Sequence, residues 1–201
     1  MGFITRDMVE QDSERMFSVG KELPFISVRL VDEEGKDVPA GEIGEAIVQG
    51  PMTFREYFDQ PELTARTIKN GWTYTGDLLR KDKDGYFYFV DRKKDMIKTG
   101  GENVFAVEVE AVIVKHPAVE QCAVIGVPDV RYGEGIMAVV KLRAGMTATE
   151  EEIIEYSRQH LASYKKPRKV AFVDGFPMAS GIKIQKFKLR ELYSKTISRN
   201  H

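Results

Sequence analysis

The segment Gly71-Trp72-Thr73-Tyr74-Thr75-Gly76-Asp77 is followed by Asp91-Arg92-Lys93-Lys94-Asp95 and then by Gly100-Gly101-Glu102. The turn sequence Asp82-Lys83-Asp84-Gly85 lies between the first two segments, and the apolar runs on either side of it predict a β-hairpin. The hairpin brings a carboxylate and a guanidinium to facing strands, an arrangement that can hold a ribose. Because the Gly-Gly pair just beyond is flexible, these segments indicate nucleotide chemistry at a moving boundary.

Composition excludes several classes of protein. The chain has 201 residues with 30 Lys and Arg against 31 Asp and Glu, and its formal net charge of -1 gives no general attraction to nucleic acid. The basic residues between Lys183 and Arg199 are interpreted as a solvated helix face, with a nucleic-acid surface as the alternative. No apolar run reaches the ~20 residues of a membrane-spanning helix, and the N-terminus lacks the apolar core of a signal peptide. We therefore expect a cytoplasmic protein with no nucleic-acid partner and no integral membrane segment.

The single cysteine, Cys122, excludes an internal disulfide. It lies in a strand-like apolar run, which favours a buried core thiol over a nucleophile. No Cys/His spacing resembles a zinc site, so no metal-ligating residues are predicted.

The apolar pattern changes near residue 91 and divides the chain into two expected domains, 1–91 and 92–201. The first is rich in strands and turns, and the second alternates helices and strands. Predicted strands cover 26–30, 45–50, 119–127, 136–142 and 168–174. Predicted helices lie between Pro61 and Gly71, before His116-Pro117, after a capping box formed by Thr149 and Glu152, and over 187–193. The fold class is α+β, in which a β-rich, distorted barrel-like subdomain precedes a small α+β domain with a short central sheet and flanking helices.

Five motifs in this order resemble the adenylate-forming superfamily, and specifically the AMP-forming acyl-CoA synthetases. They are Tyr74-Thr75-Gly76-Asp77, Asp91-Arg92, Gly100-Gly101-Glu102, Leu161-Ala162-Ser163-Tyr164-Lys165-Lys166-Pro167 and Lys183-Ile184-Gln185-Lys186. The Ser/Thr/Gly-rich phosphate loop and the Tyr-Gly-x-Thr-Glu segment of the family are absent from the sequence. The chain therefore looks like the C-terminal part of a synthetase whose N-terminal domain carries those segments.

The resemblance implies a two-step ligation. A carboxylic acid, expected to be a fatty acid, attacks the α-phosphate of ATP in the presence of Mg²⁺, and the thiol of coenzyme A then displaces AMP. The domain 92–201 would be a lid that rotates between the two steps. Two alternatives are an adenylation domain that serves a carrier protein and a non-catalytic CoA-binding or nucleotide-binding module.

The resemblance also assigns roles to residues of the adenylation step. Asp77 matches the acid that binds both ribose hydroxyls, and Arg92 matches a ribose and phosphate contact at the domain junction. Lys94 matches the hinge. Lys183 matches the catalytic lysine, although Ile182 stands where the family usually has glycine, and Lys186 is the competing candidate. Without the resemblance, a turn-capping aspartate and solvated surface charges explain the same residues.

The coenzyme A contacts follow in the same way. Gly100 and Gly101 match the loop that lines the pantetheine tunnel, with an ordinary turn as the alternative. Tyr132 takes the place of a usual tryptophan beside the pantetheine path. Tyr164 matches an aromatic that stacks on the adenine of the CoA nucleotide, while Lys166 and Arg168 match cations for the phosphates of that nucleotide.

Overall fold

The computed structural model describes residues 13–179 and 183–198. The chain forms two compact units, 1–94 and 95–201. Within the described residues there are thirteen strands and four α-helices, and almost all strand pairs are antiparallel, so the predicted α+β class is confirmed. The assignment of the two parts as a subdomain and a lid stays a prediction.

Unit 1 is built on one six-stranded antiparallel sheet with the order β1-β6-β5-β3-β2, and β4 pairs with β5. Its elements are a 3-10 helix Ser13–Phe17, β1 (Ser18–Gly20), β2 (Ser27–Val31), β3 (Ile43–Gln49), α1 (Pro61–Thr67), β4 (Ile68–Lys69), β5 (Trp72–Lys81) and β6 (Phe87–Arg92). Leu30, Ala46 and Phe87, from β2, β3 and β6, form a small buried core. The predicted hairpin is confirmed as β5 and β6.

The predicted helix after Pro61 is confirmed, but it ends at Thr67 instead of continuing to Gly71. Ile68 has extended backbone and pairs with Thr73 as part of β4. Asn70 and Gly71 form the two-residue turn between β4 and β5, and both have positive φ, 52° and 79°. A type I′ hairpin turn requires this conformation, and Asn-Gly favours it, so the hairpin ends the helix early.

Unit 2 contains a five-stranded sheet with the order β11-β10-β7-β8, to which β9 is added beside β10, and a separate two-stranded pair. Its elements are β7 (Ile97–Thr99), β8 (Glu102–Val104), α2 (Ala106–Ile113), β9 (Val119–Asp129), β10 (Gly133–Leu142), α3 (Glu150–His160), β11 (Lys169–Phe172), β12 (Met178–Ala179), β13 (Lys183–Ile184) and α4 (Lys186–Ser198). A second 3-10 helix, Lys93–Asp95, precedes β7. The short strands β7 and β8 were not predicted, because three residues carry too little periodicity.

The core of unit 2 lies on both faces of its sheet, with α2 and α3 on one face and α4 on the other. The capping box is confirmed at the start of α3, where Thr149 Oγ1 accepts from Glu152 N at 3.1 Å and Glu152 Oε2 accepts from Thr149 N at 2.7 Å. Cys122 is buried in β9 and free, as predicted. Burial, and secondarily the carboxylate of Glu110, raise the pKa of the Cys122 thiol well above its ordinary range, which disfavours the thiolate form.

Candidate functional site

The candidate nucleotide site is built on an irregularity in β5. Opposite β3, the pairing passes from Ile47 with Tyr74 to Glu45 with Leu78, so three β5 residues face one residue of β3. The extra residues form the Thr75-Gly76-Asp77 bulge, and Gly76 adopts a φ of 71° that favours glycine. The Thr75 hydroxyl donates to Ala46 O at 2.8 Å and accepts from Asp77 N at 3.1 Å, which fixes the bulge.

Asp77 and Arg92 are direct partners across β5 and β6. Arg92 Nε lies 2.7 Å from Asp77 Oδ1, and both side chains remain partly exposed, at 40% and 32%. Asp77 Oδ1 is buried and accepts no hydrogen bond within the described residues, so its contact with Arg92 is an ion pair without hydrogen-bond geometry. The sequence prediction that these two charges meet on one hairpin is therefore confirmed, and the carboxylate keeps an oxygen that can accept from a hydroxyl.

An open cavity of about 370 Å³ lies beside this pair, lined by Thr75, Gly76, Arg92, Lys93 and Lys94. This volume falls within the roughly 300–1,000 Å³ of small-molecule sites. Three of its five lining residues are cationic, so the cavity suits an anionic ligand such as a phosphate ester. Lys94 is exposed.

Lys183 and Lys186 lie in different environments. Lys183 is an exposed residue of β13, paired with Ala179 of β12, and it makes no ion pair with any other described residue. Lys186 Nζ lies 2.7 Å from Glu110 Oε1, and the two side chains are only 15% and 18% exposed. Ile182, the departure from the family pattern, lies outside the described residues.

Three of the six predicted CoA-binding residues meet around the Tyr132 ring. Gly100 N donates to Tyr132 O at 2.9 Å, and a Cβ on Gly100 would lie 3.0 Å from Tyr132 Cδ1. Arg168 Cζ lies 3.7 Å from the centroid of the Tyr132 ring, a cation-π contact. Gly100 and Gly101 form the tight turn between β7 and β8 with φ of 60° and 88°, a type I′ geometry.

A second cavity, of about 330 Å³, adjoins this cluster and carries the cations Arg131, Arg168 and Lys169 together with Asp129. The Asp129 carboxylate accepts from Arg131 N and Tyr132 N, at 2.9 and 3.0 Å, and so fixes the turn between β9 and β10. Sequence reasoning missed Arg131 and Lys169 as members of this group. The only signal in the sequence was that each carries a positive charge next to a predicted CoA-binding residue, Tyr132 or Arg168.

Tyr164 and Lys166 are not among the described contacts of the Tyr132 cluster. Tyr164 is exposed, with Lys165 Nζ 5.8 Å from the centroid of its ring. Lys166 is close enough to Glu155 to influence it electrostatically: hydrogen bonds from Arg158 and then Gln159 lower the pKa of Glu155 to about 2, with Lys166 as a smaller contribution. An adenine site that uses Tyr164 and Lys166 therefore stays a prediction.

Glu45 is a further residue beside the candidate nucleotide site that sequence reasoning missed. Its carboxylate accepts from Gly76 N at 3.2 Å and from Lys93 Nζ at 2.7 Å, and its side chain is 8% exposed. A charged residue inside the strand-like run Glu45-Ala46-Ile47-Val48 was the available signal.

Other features of the described residues lie away from these candidates. Another cavity of about 510 Å³ contains none of the predicted site residues and is lined by Glu120, Lys141, Leu142, Arg143, Ala144, Met146, Phe172, Val173 and Asp174. Over 13–179 and 183–198, no group of three or more His, Cys, Asp or Glu side chains could hold a metal ion. No helix in the same part of the chain is both long and apolar enough to span a membrane.

Comparison with known families identifies the class of protein. The family model described as AMP-binding enzyme C-terminal domain matches residues 108–181, and the model described as AMP-binding enzyme matches residues 1–58. The chain therefore belongs to the AMP-binding, adenylate-forming enzymes, which confirms the resemblance drawn from its motifs.

The relatives include enzymes named as CoA ligases and CoA synthases. A medium/long-chain-fatty-acid–CoA ligase of Mycobacterium tuberculosis is 45% identical over 84% of this chain and 31% of the ligase. A feruloyl-CoA synthase of an Amycolatopsis species is 43% identical over 90% of the chain and 37% of the synthase. The crystal structure of ATP-bound MatB from Rhodopseudomonas palustris superposes with a TM-score of 0.83 at 41% identity, covering 89% of this chain and 36% of MatB. The chain thus spans about a third of the length of these relatives and aligns with their C-terminal part.

Proposed function

We propose that this chain supplies the ribose-binding hairpin and the mobile lid of an ATP-dependent carboxylic acid–CoA ligase. The observation that carries the proposal is the Asp77–Arg92 pair, held by the bulge in β5 at the rim of a cationic cavity. The first reaction joins a carboxylate oxygen to the α-phosphorus of ATP and releases pyrophosphate. In the second, the CoA sulfur attacks the acyl carbon, and AMP leaves.

Asp77 would hold the ribose in both reactions, because a carboxylate offers two acceptors to a vicinal diol. Arg92 pairs with Asp77 Oδ1 through its Nε. The other guanidinium nitrogens are therefore left to reach the ribose and a phosphate oxygen. The ion pair would therefore orient both groups before the nucleotide binds.

Lys183 would contact the α-phosphate and carboxylate oxygens during adenylation. An exposed ammonium on a two-residue strand can be brought to the phosphate and withdrawn again. A positioned cation stabilises charge that develops in the transition state. Lys186 is a weaker candidate, because its ammonium already pairs with Glu110.

Coenzyme A would lie along the Tyr132 cluster during the second reaction. Gly100 and Gly101 carry no side chain, so a ligand can approach their turn closely. A narrow pantetheine chain could therefore pass beside this turn and the Tyr132 ring. Arg168, with Arg131 and Lys169 nearby, offers charge for the CoA phosphates. Tyr164 and Lys166 complete the proposed contacts as the adenine and phosphate partners.

Rotation of the lid about Lys94 would exchange the Lys183 region for the CoA region at the nucleotide.

Mg²⁺ would accompany ATP, but none of the steps above uses a metal held by the described residues. We expect a fatty acid as the acid and a cytoplasmic location, where ATP and CoA are available. The phosphate loop and the acyl pocket would come from the N-terminal domain of the same enzyme.

The test joins residues 1–201 to the preceding part of the mycobacterial fatty-acid–CoA ligase, giving a chimeric ligase. The chimeric ligase should release pyrophosphate from ATP with fatty acids and form acyl-CoA, and Asp77→Ala should raise the KM for ATP. The chain alone should release no pyrophosphate with any acid, because it lacks the phosphate loop. Rapid turnover by the chain alone, or transfer to a carrier protein in preference to CoA, would overturn the proposal.

A further inference from the structure

Glu45 is a nearly buried carboxylate to which the proposed reaction assigns no role. It lies in β3, where its neighbours Ala46 and Ile47 are also buried, and only 8% of its side chain is exposed. Placing a carboxylate there costs free energy unless hydrogen bonds and charge compensate. Its partners therefore indicate what the residue does.

The first partner is created by the bulge in β5. Because three residues of β5 face one residue of β3, the regular ladder cannot satisfy every backbone N–H of the bulge. Glu45 Oε1 accepts from Gly76 N at 3.2 Å, and Thr75 Oγ1 donates to the adjacent Ala46 O at 2.8 Å. A side chain and a backbone carbonyl of β3 thus replace ladder hydrogen bonds directly beside Asp77.

The second partner, Lys93, directly follows β6, the other strand of the hairpin. Lys93 Nζ donates to Glu45 Oε2 at 2.7 Å, and Lys93 immediately follows Arg92. Each oxygen of one carboxylate therefore holds the residue next to a nucleotide-binding candidate, Gly76 before Asp77 and Lys93 after Arg92. Glu45 thus contacts a residue adjacent to each member of the Asp77–Arg92 pair.

We propose that Glu45 is a positioning residue of the nucleotide site, which sets the location of Asp77 and Arg92 and thereby the affinity for the ribose phosphate of ATP and of acyl-AMP. The inference rests on the proposed function of these two residues. It adds a residue that does not touch the nucleotide and acts through two that do. A misplacement of about 1 Å can cost about 100-fold in rate, so a supporting residue of this kind has a measurable effect.

Two substitutions separate the two contacts. In Glu45→Gln, the amide oxygen still accepts from Gly76 N, but the ion pair with Lys93 is lost. In Glu45→Ala, both contacts are lost. Glu120→Gln is the matched control, since it removes a glutamate that pairs with Lys141 at 2.6 Å in the other unit.

The structural measurement uses the chain itself and amide hydrogen exchange by NMR. Protection of the Gly76 amide should persist in Glu45→Gln and the control, and fall in Glu45→Ala. If the Gly76 amide exchanges equally slowly in Glu45→Ala, the carboxylate does not hold the bulge and the proposal is overturned.

The kinetic measurement uses the chimeric ligase. Glu45→Ala should raise the KM for ATP in adenylation, and the KM for supplied acyl-AMP in thioester formation, by a similar factor of about 10 to 100. The KM for CoA should not change. Glu45→Gln should raise both nucleotide KM values by a smaller factor of about five, which corresponds to the loss of one partly exposed ion pair. A purely structural role predicts a lower melting temperature with unchanged KM values.

The outcome also separates this inference from the proposed function. If Asp77→Ala raises the KM for ATP and Glu45→Ala does not, the positioning role is wrong and the proposed function stands. If Asp77→Ala has no effect, the proposed function of the site fails. If Glu45→Ala does not fold, the Glu45→Gln variant decides: an increase in both nucleotide KM values with unchanged CoA KM supports the inference, and no increase overturns it.

Discussion

Two lysines three positions apart, Lys183 and Lys186, have opposite electrostatic situations. The ammonium of Lys186 is largely removed from water and pairs with Glu110, so breaking that pair would leave a carboxylate with little exposure without its ion-pair partner. Lys183 forms no ion pair with another described residue, so its ammonium group can move to a ligand. The environment of each side chain therefore favours Lys183 for chemistry and Lys186 for stability.

We expect Lys183→Ala in the chimeric ligase to lower the rate of acyl-AMP formation by roughly 10²- to 10³-fold, because a positioned cation is lost from the transition state. Thioester formation from supplied acyl-AMP should be retained. Lys186→Met is the control. It should lower the melting temperature and leave the rate of acyl-AMP formation close to that of the unsubstituted enzyme. Separate assays of pyrophosphate release and of CoA consumption measure the two steps. A greater loss of adenylation in Lys186→Met would transfer the role to that residue.

Asp82 holds the turn between β5 and β6 and provides a pH-dependent contribution to stability. Burial raises its pKa, but hydrogen bonds from Tyr86 N, the Tyr88 hydroxyl and Asp84 N, with the nearby Arg15 guanidinium, outweigh burial. The net effect is a pKa below the ordinary 3.8. A carboxylate whose pKa is lower in the folded state stabilises the fold above its unfolded-state pKa. This contribution is lost as the pH falls through the folded-state pKa.

The difference in free energy of unfolding between the chain and Asp82→Asn should therefore be constant above about pH 5 and shrink below pH 3.8. Urea unfolding at a series of pH values between about 3 and 7 measures this difference. A difference that stays the same over the whole series would show that the carboxylate charge does not contribute to the turn.

At the scale of elements, tight turns explain both what the sequence predicted and what it did not. The capping box of Thr149 and the hairpin turn at Asp82 are local signals, and the structure confirms both. Asn70-Gly71 was also a local signal, but the apolar residues of the preceding helix obscured it. The bulge at Gly76 could not be predicted, because it depends on which β3 residues face β5, and pairing between distant strands is not visible in one segment.

The turn between β7 and β8 gives a matched pair of glycines. Both have positive φ, but a Cβ on Gly101 would meet nothing within 4 Å, whereas one on Gly100 would press on Tyr132. Gly101→Ala and Gly100→Ala should each lower the free energy of unfolding by about 1–2 kcal/mol through backbone strain. Only Gly100→Ala should also shift the ring resonances of Tyr132, because only its Cβ would contact that ring. Equal shifts of the Tyr132 ring in both variants would contradict this separation.

At the scale of the whole molecule, the residues on either side of Lys94 are each tied to a different compact unit. Lys93 pairs with Glu45 in β3 of unit 1, and Asp95 pairs with Arg190 in α4 of unit 2. The division between the units falls directly after Lys94. The sequence suggested this position only through the family resemblance, because the anchoring partners are distant in the chain. The two ion pairs support a pivot confined to the backbone of Lys94.

We therefore expect Lys94→Pro in the chimeric ligase to uncouple the two reactions, because proline fixes φ near about -65° and prevents the backbone change that a rotation needs. Hinges absorb large dihedral changes at few residues, so one blocked residue should suffice. Adenylation should survive while thioester formation falls by orders of magnitude. Lys94→Ala removes the side chain but leaves φ free, and it should keep both rates near those of the unsubstituted enzyme. Equal and undiminished rates in Lys94→Pro would move the pivot elsewhere, and a loss in Lys94→Ala would assign the role to the ammonium group instead of the backbone.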